Sequence, residues 1–305
     1  MTPRTRGLAA AALGAVGFSI KAIFVKAAFR YGVDAETLLA LRMLYSLPLF
    51  LLLGLVAARN AATPISAADW RALLVLGFVG YYAASYLDFL GLQHVSAALE
   101  RVILFTYPTM VVLFTAWRER RYPQRPTWLA LLLCYAGVAL AVSHDLWVGG
   151  GHVLLGSALV FASAVSYAVY LLRAGPLLAR LGSARVAAWG TAIACVLALA
   201  QFLLLRPVAV IVAQPWQVQA LSAAMAVFST VLPVWLVSEA IRQLGAGTTA
   251  LISSLGPVIT LLLAWLVLGE ALGVLQLLGA ALVIGGVRLV AAGAPDSGLR
   301  RANPS

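Results

Sequence analysis

The sequence predicts an all-α integral membrane protein: ten transmembrane helices, built as two five-helix inverted-topology repeats with both termini in the cytoplasm. Three observations predict it. First, the 305 residues are 63% hydrophobic and only 10% charged, whereas an ordinary soluble domain is about 25% charged. A soluble protein this apolar could not cover its own surface, and lipid removes that need. Second, apolar runs of spanning length recur along the whole chain. Third, the chain matches itself at a fixed offset of 149 residues.

The runs fall at 7–29, 35–58, 70–92, 95–118, 126–143, 152–173, 185–205, 217–241, 246–268 and 271–292. Each is about 18–25 residues long, enough to cross roughly 30 Å of hydrocarbon as helix. Turn or charge signals separate them: "RYGVDAE", "ARNAATPISAADW", "RERRYPQRP", "SHDLWVGGGH" and "RPVAVIVAQPW". Very short turns join runs three and four, and nine and ten, so each pair predicts a tight helical hairpin. No stretch remains for a soluble domain. The start, "MTPRTRGLAAAALGAVGFSIK", has the basic head and apolar middle of a signal peptide. Its counterpart later in the chain argues for a retained first helix.

Basic residues set the orientation. With the N-terminus in the cytoplasm, 15 of the 21 Lys and Arg residues fall on the cytoplasmic side. Lys21, Lys26, Arg30, Arg42, Arg101 and Arg206 lie within helices or on the outer side. The net charge of +11 is therefore read as membrane orientation; no aromatic-plus-basic patch or basic arm suggests nucleic acid. The expected partners are the lipid bilayer and a small-molecule substrate.

The repeat rests on matches in runs one, four and five. "GAVGFSI" (14–20) lies over "SAVSYAV" (163–169), Pro108 over Pro257, and "CYAGVAL" (134–140) over "VIGGVRL" (283–289). The halves are 1–149 and 150–305. Five spans is an odd number, so the second half enters the membrane from the opposite face. Inverted repeats give many secondary transporters their two related conformations, with the substrate site near the midplane between the halves.

Ten spans, two five-helix halves, and Pro108 and Pro257 in the fourth and ninth helices resemble the drug/metabolite transporter superfamily, EamA-type members in particular. "GPVITLLLAWLVLGEAL" (256–272) is similar to that family's second-repeat signature, a helix proline followed by Gly-Glu at a turn. The first half departs from it: the offset puts Arg121 where an acid would stand, and the nearest acid is Glu119. The resemblance leans toward the bacterial aromatic amino acid exporters. It implies export of amino acids or related metabolites across the bacterial inner membrane, without ATP hydrolysis. Drug or nucleotide-sugar transport on the same fold, and a passive channel, stand as alternatives.

Other chemistry finds no support. HExxH, P-loop and GxSxG patterns are absent, and no aqueous loop could house an active site, so an enzyme is not expected. Cys134 and Cys195 both lie in apolar runs, without a CxxC or His/Cys cluster. Neither a disulfide nor a metal is expected, and no cofactor. His94, His144 and His152 fall near helix ends and read as interfacial.

The candidate site follows from polar groups placed where they are costly. A charge at a helix centre costs about 2.5–3.5 kcal/mol on insertion scales and so faces protein or water. Lys21, Lys26, Arg42, Asp88, Glu100 and Arg101 all lie in the outer half of the first four spans. Of these, Lys21, Arg42, Asp88, Glu100 and Arg101 form the expected outer charge network or gate. Glu100 and Arg101 point about 100° apart on their helix, so they are not each other's partner. Glu100 is expected to aim at the central cavity, and Arg101 at Asp88 or the lipid interface. Glu239 and Arg242 form the one obvious inner pair. A cavity for a zwitterion with a bulky side chain is expected among Phe18, Lys21, Tyr81, Tyr82, Ser85, Glu100, Tyr107, Tyr167, Trp235 and Ser253. Lys21 or Arg42 would hold the carboxylate; Glu100, Asp88 or a tyrosine face would hold the ammonium. Pro108 and Pro257 are expected to bend their helices, freeing carbonyls near Leu104 and Ser253.

Overall fold

A computed structural model describes residues 3–59, 63–118, 120, 125–244 and 256–293. Among the described residues, eight helices are long and apolar enough to cross a membrane. In chain order they are α1 (Thr5–Phe29), α2 (Ala35–Arg59), α3 (Ala67–Leu92), α4 (Ala97–Arg118), α5 (Arg125–Gly149), α6 (His152–Leu181), α7 (Ser183–Leu205) and α8 (216–244). Two more apolar helices follow, α9 (Gly256–Leu268) and α10 (Val274–Gly293). There are no strands among the described residues.

Helix ends follow local chemistry. Ser66 and Asp69 form a capping box that starts α3 ahead of its apolar run. Ser96 caps α4 by accepting from the Leu99 N–H. α6 overruns its expected end at 173 and continues through Pro176 to Leu181, stopping at Gly182 with φ +81°. Its 30 residues make a rod of about 45 Å, longer than the hydrocarbon layer.

The helices are not regular throughout. α1 loosens at Ile20 (φ −75°, ψ −8°). α3 widens to a π-helix over Gly77–Ala83 and α8 over Val227–Val231. α4 stops at Leu104 and restarts at Tyr107. Pro108 therefore does not bend a continuous helix; it sits in the first turn of a new one, where its missing N–H and fixed φ cost nothing. The gap is filled locally, since Thr106 donates from both its N–H (3.0 Å) and its hydroxyl (2.7 Å) to the Ile103 carbonyl. Pro257 is the second described residue of α9, and the expected bend at it falls against residues outside the described ones.

The main packing partners are α1 with α8, α3 with α6, α2 with α7, and α5 with α10. Replacing each helix by the one five places away maps this set onto itself. Individual contacts recur in the same way. A Cβ on Gly17 would stand 2.8 Å from the Phe228 carbonyl; 149 residues on, the Ser166 hydroxyl donates to the Val79 carbonyl at 2.7 Å. Both carbonyls lie in π-helical segments. At the α5–α10 contact a Cβ on Gly137 would meet the Gly279 carbonyl at 2.5 Å, and one on Gly286 the Ala130 carbonyl at 2.6 Å. Such close backbone approach is how helices associate where no hydrophobic effect separates them from lipid. Gly269 after α9 and Arg120 after α4 both take positive φ (69° and 53°), again at the same offset.

Candidate functional site

α1, α3 and α4 bring three expected charges together. Lys21 Nζ lies 2.5 Å from Asp88 Oδ2 and 3.0 Å from Glu100 Oε1. Both acids are buried, and the lysine side chain is 16% exposed. Glu100 stands in the first turn of α4, where the helix dipole favours a negative charge.

The other cations of the expected network lie elsewhere. Arg42 is buried, donates from Nε to Thr230 Oγ1 at 3.0 Å, and lies 5.3 Å above the Phe89 ring. Among the described residues it forms no ion pair. Lys26 donates to the Leu92 carbonyl at 3.1 Å. Arg101 does not reach Asp88. It donates from Nε to Thr260 Oγ1 on α9 at 3.0 Å, and from Nη2 to the Phe18 carbonyl on α1 at 2.5 Å. The reason is geometric: the 100° step from Glu100 turns it toward α9, and the loosened turn of α1 presents a carbonyl there.

This places Arg101 at a junction of irregular helices. Thr260 Oγ1 in turn donates to the Ser19 carbonyl (3.2 Å), and Ser19 Oγ lies 3.1 Å from the Gly256 carbonyl. The loosened turn of α1, the first residues of α9 and the helix segment preceding the break in α4 are thus joined by one chain of hydrogen bonds. Such discontinuous helices are where transporters of inverted-repeat type place polar backbone at membrane depth.

The aromatic candidates divide. Tyr81, Tyr107 and Tyr167 come together around Tyr170. The Tyr81 and Tyr170 hydroxyls are 2.9 Å apart. The Tyr107 and Tyr167 rings pack edge-on at 5.1 Å, and Tyr167 stacks on Tyr170 at 5.7 Å. Tyr170 was not expected, although it follows Tyr167 at i+3 on one helix face. Tyr82 points away from this group, donating to Gln201 Oε1 at 2.7 Å and stacking on Tyr86. Trp235 is 53% exposed, on an apolar stripe with Phe228 and Leu232. Phe18 is partly exposed and Ser85 half-buried. Ser253 and the side chain of Arg242 lie outside the described residues; Glu239 contacts Gln243.

Sequence reasoning missed a set of ties across the end that carries the α3–α4 and α9–α10 turns. Glu270 accepts from the Ala97 N–H (3.1 Å), capping α4 from the other half of the chain. Asp145 accepts from the Ser96 N–H (3.2 Å) and from Gln276. Arg30 donates to the Leu268 carbonyl. Gly-Glu at 269–270 was visible as a motif, but its capping target was not. At the opposite end Arg180 pairs with Asp69 beside a groove of about 430 Å³ lined by Ala72, Arg173, Pro176, Leu177 and Arg180. That groove is not the cavity expected around the tyrosines and Lys21. No set of His, Cys, Asp and Glu able to hold a metal occurs among the described residues.

The model of the EamA-like transporter family matches residues 5–143 and again 154–292. This chain belongs to the EamA-like transporter family. It is a multi-pass membrane transporter of that family, not an enzyme. Relatives agree with the assignment. An "Uncharacterized transporter YcbK" of Bacillus subtilis (strain 168) is 33% identical over 92% of this chain and 90% of its own. The threonine/homoserine exporter RhtA of Escherichia coli (strain K12) is 29% identical over 72% of this chain and 70% of its own. A solved crystal structure superposes with a TM-score of 0.63 at 20% identity, covering 94% of this chain and 97% of that one. The last likeness is one of fold alone.

Proposed function

We propose that this EamA-like transporter exports amino acids or closely related small metabolites from the cytoplasm across the bacterial inner membrane. It crosses the bilayer ten times as two inverted five-helix repeats, 1–149 and 150–305, with both termini cytoplasmic, and works by alternating access. The substrate binds where the irregular helices α1, α4 and α9 meet. The observation that carries this reading is the hydrogen-bonded chain Arg101–Thr260–Ser19, which joins polar groups of the two halves where α1, α4 and α9 meet. The exporters among the relatives support the substrate class. Tyr81, Tyr107 and Tyr167 are the proposed wall for an aromatic or other bulky side chain.

The self-consistent helix pairing supports alternating access, because exchanging the shapes of the two halves exchanges which end is open. The ties from Glu270, Asp145 and Arg30 belong to a state closed on the outer side. The test is counterflow in proteoliposomes of the purified full-length chain, with radiolabelled L-phenylalanine and L-threonine. Saturable exchange accelerated by unlabelled amino acid inside is expected. Flux that never saturates would mark a channel, and no flux of either amino acid would remove the amino acid reading.

A further inference from the structure

The charges of the outer half do not balance locally, and the surplus has an address. Lys21 forms ion pairs with both buried acids, and Asp88 Oδ1 and both Glu100 oxygens have no hydrogen bond among the described residues. Arg42 spends its charge on a ring face and a hydroxyl in a fully packed position. Lys26 is held by a carbonyl at the tied end. Among the described residues Arg101 hydrogen-bonds to neutral oxygens, those of Thr260 and Phe18, and remains partly exposed. A guanidinium carries five N–H donors. Those two bonds use Nε and one hydrogen of Nη2, so both hydrogens of Nη1 and the second of Nη2 are left. Together they form the forked edge that pairs with a carboxylate through two parallel hydrogen bonds.

We propose that Arg101 is the carboxylate anchor of the transported molecule, in place of Lys21 or Arg42. This deepens the exporter reading and rests on it for the word "transported". Lys21 is excluded by its two carboxylates, which a substrate would have to displace, and Arg42 by its burial. Arg42 also forms no ion pair among the described residues and keeps Nη1 unpartnered, but it is buried, whereas Arg101 is partly exposed and can take an anion without losing an ionic partner. Its position at the junction also lets a bound carboxylate be felt by α1 and α9 through Phe18 and Thr260. The substrate class that follows is a monocarboxylate, with the ammonium a secondary feature. An amine lacking the carboxylate is not a substrate.

The test reads binding and transport separately on the purified full-length chain. Phenylglyoxal modifies arginine, and the Arg101 peptide is followed by mass spectrometry. L-Phenylalanine and 3-phenylpropionate are expected to slow its modification roughly tenfold, while phenethylamine leaves it unchanged. In counterflow, Arg101→Gln is expected to raise KM for the amino acid about ten- to a hundredfold, with Arg101→Lys between it and wild type. Protection by the amine as strong as by the carboxylates, or by neither, overturns the anchor, even if the wild type carries amino acids. Protection by carboxylates with no amino acid flux keeps the anchor and sinks the exporter reading. Because protection is measured on the wild type, a poorly folded variant does not obscure it.

Discussion

Two groups of side chains related by the 149-residue offset are built from different chemistry. At the 149-residue offset, Lys21 corresponds to Tyr170, Phe18 to Tyr167, and Thr230 to Tyr81. On one side of the relation stands an ionic group, Lys21 with Asp88 and Glu100 at 2.5 and 3.0 Å. On the other stands a neutral one, the paired hydroxyls of Tyr81 and Tyr170 with Tyr167 and Tyr107 stacked beside them. The counterparts of Asp88 and Glu100 are Val237 and Thr249, so neither charge is copied. The helix packing recurs at the offset, whereas the side chains of these two groups do not. An ionic latch resists separation until a charge is moved or neutralised; a tyrosine cluster gives way in small steps.

That contrast can be broken most strongly at Lys21. Lys21→Met leaves two buried carboxylates without their cation and is expected to cost about 3–5 kcal/mol. A large drop in melting temperature in detergent would show it, and adding Asp88→Asn and Glu100→Gln together is expected to recover most of the loss. Recovery is the sign that the cost is uncompensated charge and not lost packing. Next comes the scaffold common to both halves. Gly137→Leu drives a side chain into the Gly279 carbonyl, already 2.5 Å from a simple Cβ. Overpacking of this kind costs about 1–3 kcal/mol, measured by the same melting curve, and moves both ends of the molecule equally. The smallest effect belongs to the aromatic side: Tyr170→Phe removes one hydroxyl–hydroxyl bond and is expected to cost about 1 kcal/mol. If Tyr170→Phe destabilises as much as Lys21→Met, the two sides are not different in kind.

Legibility in the sequence followed rarity. Lys21, Asp88 and Glu100 stood out because charges in apolar helices are expensive, and the structure joins those three. The expected place of Arg42 and Arg101 in the same group failed, because their partners are hydroxyls, a ring face and a backbone carbonyl. Those groups occur everywhere in a membrane helix and carry no signal. The break in α4 was half visible: Pro108 announced a disturbance, but only the bonds of Thr106 show that the helix stops and restarts. The π-helical turns of α3 and α8 left no compositional mark beyond Gly77 and Gly80. The role of Glu270 needed the fold, since it caps a helix in the other half of the chain.

Under the proposed function, the outer side is latched by the Lys21 group and Phe18 is reached from the cytoplasm. The most direct measurement places a cysteine at Phe18, just inside the Lys21 group, with Cys134 and Cys195 replaced by alanine. A membrane-impermeant thiol reagent is then added to one side of oriented vesicles at a time. The account predicts reaction from the cytoplasmic side and little from outside, with Glu100→Gln raising the outside rate about tenfold as the latch weakens. Equal reaction from outside with and without Glu100→Gln, or none from the cytoplasmic side, would contradict it.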